Sequence, residues 1–339
     1  MKLDELRKKS SSNTPLEGPS AAPGVPSFPP VEPTATEGPS NGEEVWGQHT
    51  SLTPSGIEIY YQAGKKRLYR VRNMPVGDAA FSVSGEAHGV WLDVPSVSEI
   101  LDNLNKPGLP WWGMKVGVEG IMTLFAKIRT GEVSEDEFLR FMSEADVDAA
   151  VALLTQHKIT VNHVRDKAGD RGTAVHDALE IWAKDGIMPN PDVFDPAERG
   201  YVEGLKQFII DSGVTPLVWE VMVASVKYRY AGRFDLGGEI PDGAQVVTKS
   251  YPKRKSVVSA LEGGNWMLDL KTSKGVYESH HLQLGGYNLA VEECYNSFYP
   301  QTGVIHVFDD GRYELVKGKA TSEDWLTVRA LYDTMKALK

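Results

Sequence analysis

The stretch Trp266-Met-Leu-Asp-Leu-Lys-Thr-Ser-Lys-Gly275, continuing to Gln283-Leu-Gly-Gly-Tyr287, constrains this chain more than any other part of it. Trp266 to Leu270 is a short apolar run that reads as a buried strand. Alternation along a strand sends Asp269 and Lys271 to one face and Leu268 and Leu270 to the other. A carboxylate and an ammonium at the end of an apolar strand are costly to desolvate, so their presence there points to a task. A polar turn, Thr272 to Gly275, follows. Leu282, Leu289 and Ala290 then recur at near-helical spacing from about Glu278 to Val291. Gln283 and Tyr287 share one face of that helix.

The chain has 339 residues, 41% of them hydrophobic, which is the make-up of a globular protein of one large or two small domains. No apolar run approaches the ~20 residues that a membrane span needs. The charged start, Met1-Lys-Leu-Asp-Glu-Leu-Arg-Lys-Lys9, does not read as a secretory signal. A single cysteine, Cys294, excludes a disulfide framework and any all-cysteine iron–sulfur or zinc site, so a reducing, cytoplasmic setting is expected. A net charge of −10 argues against coating nucleic acid by bulk electrostatics. It leaves room for a local basic groove, because Pro216 to Ala290 carries nine Lys/Arg against seven Asp/Glu.

Residues 1–47 read as a disordered tail: Ser10 to Gly47 is dominated by Pro, Ser, Gly, Thr and Glu and has too little apolar surface to offset its ordering entropy. The first eight residues also fit a short partner-docking helix. Residues 48–160 read as a hairpin plus a helical lead-in. Ile57–Tyr61 and Arg67–Val71 flank Gly64-Lys-Lys as a hairpin. Ser96 to Glu99 and Ser134 to Glu137 have capping-box spacing for helices that follow. Pro107 to Pro110 is expected to break the first of these before a new helix at Trp111-Trp112, whose indoles fit a helical core better than base stacking. Further helices are expected over Phe138–Ala145, Val147–Gln156 and Val161–Gly169. Residues 161–339 read as the core. Helices are expected over Gly172–Ala183, where Val175, Leu179 and Trp182 form one stripe, and after Asp195-Pro-Ala-Glu198. Strands follow near Leu217–Ser225, Tyr228–Phe234 and Gly237–Ile240, then a basic hairpin or loop over Pro241–Gly264. After the Trp266 strand and its helix come strands near Thr302–Phe308 and Tyr313–Val316, and a helix over Ser322–Leu338. This order describes a mixed sheet flanked by helices, an α/β or α+β fold.

Metal-dependent phosphodiester cleavage needs a few carboxylates around one or two ions, with positions open for water and phosphate. Asp235, in Tyr230-Ala-Gly-Arg-Phe-Asp235, sits at the end of a β-rich segment where Gly232 permits close backbone approach. Asp235 and Asp269 can meet if their strands are neighbours, and Lys271 can orient a water or offset phosphate charge. His176 can add an imidazole ligand, which favours Mn²⁺ or a mixed site over a pure oxygen cage. Lys253, Arg254 and Lys255 form a solvated basic loop or a phosphate contact. His280 and His281 point about 100° apart on a helix, cannot easily share an ion, and are assigned to the surface or a DNA contact. Asp235 also fits a turn-closing role before Gly237-Gly238, and Gln283 and Tyr287 also fit ordinary helix positions.

Four segments in order, Gly172-Thr-Ala-Val-His176, Gly232-Arg-Phe-Asp235, Leu268-Asp-Leu-Lys-Thr272 and Gln283-Leu-Gly-Gly-Tyr287, resemble the successive motifs of the PD-(D/E)XK nuclease superfamily. They are most similar to RecB-like exonucleases, which include CRISPR-associated and phage members. Val94–Leu101, with Lys106-Pro107 and Trp111-Trp112, is similar to the helical lead-in of phage-type members. The resemblance implies a restriction-endonuclease-like core. It implies that His176, Asp235, Asp269 and the Leu270 carbonyl ligate Mg²⁺ or Mn²⁺, and that Lys271 is the catalytic lysine. Gln283 and Tyr287 would touch DNA or support Lys271, and Glu220 would be an auxiliary acid. Branches with an iron–sulfur cluster need four cysteines, so this chain falls in a cluster-free branch. The implied activity is DNA exonuclease action leaving 5′-phosphates, in recombination, repair or phage DNA processing, in the host cytoplasm if phage-encoded. A structure-selective endonuclease, or a non-catalytic DNA-binding or recombination-partner module, fits the same core. The tail is then a candidate for docking a recombinase or single-strand-binding protein.

Overall fold

The computed structural model describes residues 48–63, 68–73, 91–104, 106, 108–134, 136, 139, 147–250 and 255–338. The tail and its short helix, the Gly64 turn, Lys253, Arg254 and all but Leu139 of the helix expected over Phe138–Ala145 lie outside them. The chain divides into two compact units, one of residues 1–104 with 174–339 and one of residues 105–173.

The first unit holds two sheets. The smaller is antiparallel and runs β1 (Gln48–Leu52), β2 (Ile57–Gln62), β3 (Leu68–Asn73), β4 (Leu92–Val94) in spatial order. Period-two alternation buries Ile57, Ile59 and Tyr61 along β2 and leaves Glu58, Tyr60 and Gln62 on the other face. Helix α1 (Val97–Leu101) starts where the Ser96 hydroxyl accepts the Glu99 N–H at 3.0 Å, the cap that its sequence predicts.

The larger sheet has seven strands: β5 (Thr215–Ser225), β6 (Tyr230–Ile240), β7 (Gln245–Ser250), β8 (Lys255–Ala260), β9 (Gly264–Lys271), β10 (Gln301–Val307) and β11 (Tyr313–Lys317). Their spatial order is β5-β6-β9-β10-β11-β7-β8. β9 runs antiparallel to β6 and parallel to β10, so the sheet is mixed. The crossover from β9 to β10 is helix α6 (Glu278–Tyr295), and α7 (Ser322–Ala337) follows β11. The basic segment before β9 is the β7–β8 hairpin.

Two apolar layers cover this sheet. On one face Met267, Phe234, Val304 and Tyr287 pack with Ile59 and Val71 of the small sheet and Trp325 of α7. On the other, Trp266, Leu268, Leu270, Ile305 and Leu315 pack on Val175, Leu179 and Trp182 of α4 (Val161–Asp185) and on Leu205 and Phe208 of α5 (Pro196–Ser212). β9 is therefore covered on both faces, as its unbroken apolar run requires. Helix α5 begins with Pro196 at its first position and a capping box between Asp195 and Glu198.

The second unit contains α2 (Gly108–Arg129), α3 (Val147–Gln156) and the start of α4, with a small core of Leu124, Val133 and Leu153. Helix α2 starts at Gly108, ahead of the break expected at Pro110; a proline in the first turn removes only an N–H that has no partner in the helix. Trp111, expected in a core, is 68% exposed. Two helices expected on either side of Gly169–Gly172 are one, α4: each glycine costs about 1 kcal/mol, less than its buried stripe of Val175, Leu179 and Trp182 provides. Likewise β6 is one strand where Gly237-Gly238 suggested a break, because a Cβ at Gly237 would sit 2.1 Å from the Tyr299 hydroxyl and glycine is there for packing. Among the described residues no helix is long and apolar enough to cross a membrane.

Trp325 is fully buried and meets Tyr230 edge-on at 5.0 Å between ring centroids. Trp325→Ala is expected to lower the unfolding free energy by about 3–5 kcal/mol. Trp111→Ala should change it by no more than about 0.5 kcal/mol. Urea titration of the two variants checks both.

Candidate metal centre

β6 and β9 are paired from Ile240–Gly264 to Leu236–Leu268, and there the ladder ends. Beyond that point β6 continues with β5, and β9 with β10. A buried backbone N–H cannot be left without a partner. At the fork the Leu270 N–H donates to Asp235 Oδ2 at 2.7 Å, so a side chain replaces the missing strand. Asp235 is buried and lies in the middle of β6, not at the strand end where its sequence context placed it.

Glu220 reaches the same fork from β5. Pairs Trp219–Leu236 and Val221–Phe234 bring it opposite Asp235, after a register shift at Pro216/Val218. Its φ is +50°, a left-handed conformation that costs a non-glycine residue about 1–3 kcal/mol and that gathers at functional sites. Arg233, two residues before Asp235 on β6, places Nε 2.7 Å from Glu220 Oε2. Next to Arg233 on β6, Gly232 admits the Tyr287 ring; a Cβ there would lie 2.5 Å from Tyr287 Cε1.

His176 enters from α4. Its Nδ1 lies 3.5 Å from Asp235 Oδ1 and 4.0 Å from Glu220 Oε1, and its ring also bonds the Leu270 backbone. One ligand atom from each of His176, Glu220 and Asp235 lies within 4.8 Å of the others. Burial holds the His176 pKa below its usual value, so the imidazole is neutral, the form that donates a lone pair to a metal.

Asp269 adjoins this trio. It is 1% exposed, its Oδ2 lies 2.5 Å from Lys271 Nζ, and its Oδ1 has no hydrogen-bond donor among the described residues. Lys271 and Asp269 thus share a face opposite Leu268 and Leu270, as alternation demands. Burial, offset in part by Lys271, pushes the Asp269 carboxyl up to about 7. Burial and the neighbouring Asp235 push Glu220 up to about 8.

The helix after the turn supplies Gln283, which donates to the Tyr287 hydroxyl at 2.8 Å, and Tyr287, whose buried ring lies near Asp269. Leu270 meets the centre through its backbone alone. Lys255 is exposed on β8, away from the cluster in strand order. His281, assigned from sequence to the surface or a DNA contact, is buried, and burial lowers its pKa.

Two residues escaped the sequence reading. Arg233 carried a signal, since it shares a strand face with Asp235. His306 on β10 pairs in parallel register with Lys271, and its Nε2 lies 2.6 Å from the Ser273 carbonyl in the turn after β9. Its signal was a lone polar residue inside the apolar run Gly303-Val-Ile-His-Val307.

One imidazole and two carboxylates, with a third buried carboxylate oxygen that lacks a donor, suit a hard or borderline divalent cation such as Mg²⁺ or Mn²⁺. No protein-family model matches the chain, and neither does any curated protein.

The raised carboxyl pKa values fix how stability depends on pH. Between the ordinary carboxyl range and about 7–8 the folded protein binds more protons at Glu220 and Asp269 than the unfolded chain does. Metal-free stability therefore falls as pH rises through that window. Glu220→Gln is expected to raise the metal-free unfolding free energy by on the order of 2 kcal/mol at pH 8 and little at pH 5. Mn²⁺ should raise the melting temperature of the wild type more at pH 8 than at pH 5, because protons compete with the ion for the carboxylates. Calorimetry at the two pH values reads both effects.

Proposed function

We propose that the chain is a metal-dependent nuclease that hydrolyses DNA phosphodiester bonds, with a core of the PD-(D/E)XK, RecB-like kind. The observation that carries this reading is the convergence of His176, Glu220 and Asp235 within 4.8 Å, beside the buried Asp269–Lys271 pair. Four separate elements deliver these groups, and no packing need explains a buried carboxylate set that destabilises the fold. The chain order α4-α5-β5-β6-β7-β8-β9-α6-β10 and the mixed β6-β9-β10 arrangement are compatible with such a core.

In this reading His176, Glu220 and Asp235 hold the ion, and Asp269 completes its surroundings. Bound there, Mg²⁺ or Mn²⁺ supplies a Lewis acid for the phosphate and lowers the pKa of water. The protein's own groups position the rest. Lys271, fixed by Asp269, presents an ammonium that orients the attacking water and offsets charge on the phosphate. Arg233 holds Glu220 in place, and Gln283 fixes the Tyr287 hydroxyl beside Asp269. The Leu270 N–H keeps the Asp235 carboxylate from turning away. Exonuclease action follows from the likeness of the motifs.

End-labelled linear and closed circular DNA, incubated with Mg²⁺, Mn²⁺ or EDTA, test the proposal. Linear DNA should be degraded with either ion, and circles should persist. Asp269→Asn and Lys271→Ala should each slow cleavage by about a hundredfold or more while the proteins stay folded, as circular dichroism would show. Near-normal rates for Lys271→Ala would overturn the assignment.

A further inference from the structure

The outer face of the small sheet has no part in the cluster described above, yet the sequence of its β2–β3 segment is unlike the rest of the chain. From Tyr60 to Asn73 the sequence holds five Lys/Arg and no carboxylate, in a chain of net charge −10. Three tyrosines lie among those cations. Strand alternation sorts them. Tyr61 and Tyr69 face the core, with Ile59 and Val71. Tyr60, Arg70 and Arg72 face outward, and Trp91, beside β4, joins them.

Register sets these side chains next to one another. Tyr60 pairs with Arg70, and Arg72 pairs with Glu58. The Arg72 guanidinium lies 4.4 Å from the centroid of the Trp91 ring, and the Trp91 and Tyr60 rings meet edge-on at 6.2 Å. Arg72 is also held by Glu58 at 2.6 Å, and Arg70 by Asp93 at 2.7 Å. Tyr60, Arg70, Arg72 and Trp91 are all half-exposed. The result is a surface with two rings set edge to face and two guanidinium groups whose geometry is already fixed, so little side-chain entropy remains to be lost on binding.

We propose that this face is a stacking platform for single-stranded DNA, with Trp91 and Tyr60 taking bases and Arg70 and Arg72 taking phosphates. Its identification of DNA as the ligand rests on the nuclease reading above. An acidic protein would use the cations alone. Adjacent rings beside guanidinium groups are what an unpaired strand uses, since every base has a face to stack. The platform and the metal centre are also mechanically joined. On the inner side of the same hairpin the Arg233 guanidinium lies 5.7 Å from the Tyr61 ring, and Arg233 holds Glu220.

Binding of the full-length protein to labelled oligothymidylate in EDTA, read by fluorescence anisotropy, tests the platform without cleavage. Trp91→Ala and Tyr60→Ala should each weaken binding about tenfold, the effect of one base–aromatic stack. Trp91→Phe should retain most of the affinity. Arg70→Gln and Arg72→Gln should each lower the slope of log affinity against log salt by about 0.7. Unchanged binding by a folded Trp91→Ala/Tyr60→Ala double variant would overturn the platform, as would equally effective competition by polyglutamate. If the double variant fails to fold, Trp91→Phe and the two salt slopes decide. Mn²⁺-dependent cleavage of a blunt duplex, assayed in parallel, separates the two readings. A wild type that does not cut, beside variants that lose oligothymidylate, sinks the nuclease alone. A wild type that cuts, beside variants that bind as it does, sinks the platform alone.

Discussion

A single hydrogen bond, from the Leu270 N–H to the Asp235 carboxylate, stands where two strands of the large sheet stop pairing. The sheet must open there if three side chains are to meet between β5, β6 and β9, and an opened sheet exposes a backbone donor inside a dry core. A carboxylate satisfies that donor more strongly than a carbonyl does. In doing so it loses its rotational freedom, and its second oxygen is left 3.5 Å from His176. The position of Asp235 is therefore set by the backbone of the strand that carries Asp269 and Lys271. Any change that moves β9 moves both.

Each acid at the fork has a different kind of partner. Glu220 is held by the Arg233 guanidinium, Asp269 by the Lys271 ammonium, and Asp235 by a backbone amide and an imidazole. No one cation neutralises the group, and burial raises the carboxyl pKa values of Glu220 and Asp269. The fold bears this cost because both faces of β9 lie in apolar layers that hold the strand regardless of charge. Stability comes from Trp266, Leu268 and Leu270 on one side and Met267 with the Tyr287 helix on the other, and the charged ends are carried along.

Much of this was legible in the chain because it follows from local periods. The β9 alternation, the Ser96 and Asp195 caps and the helix bearing Gln283 and Tyr287 depend on neighbours within a few residues. What escaped depends on distant ones. Asp235 reads as a strand end because glycines follow it, whereas its ladder ends for a reason located on β9. Gly169 and Gly172 read as a break because their local cost is visible and the burial of Val175, Leu179 and Trp182 that outweighs it is not. His281 reads as exposed because its helix carries polar residues all round, and only the packing of α6 decides which of them are covered. The pairing of Arg233 with Glu220 depends on the register of β5 against β6, which shifts at Pro216/Val218 and is set by the partner strand.

Glu220 sits in a strand with a backbone that glycine would adopt without strain. Most mutations that relax such a residue also make a protein hardier, so they are favoured wherever selection sees only folding. Here the same exchange would take a carboxylate out of the donor cluster. Drift toward robustness and loss of the cluster are one and the same step at this position. A lineage of such chains in which glycine or asparagine stood in its place would record the moment when the centre ceased to be needed.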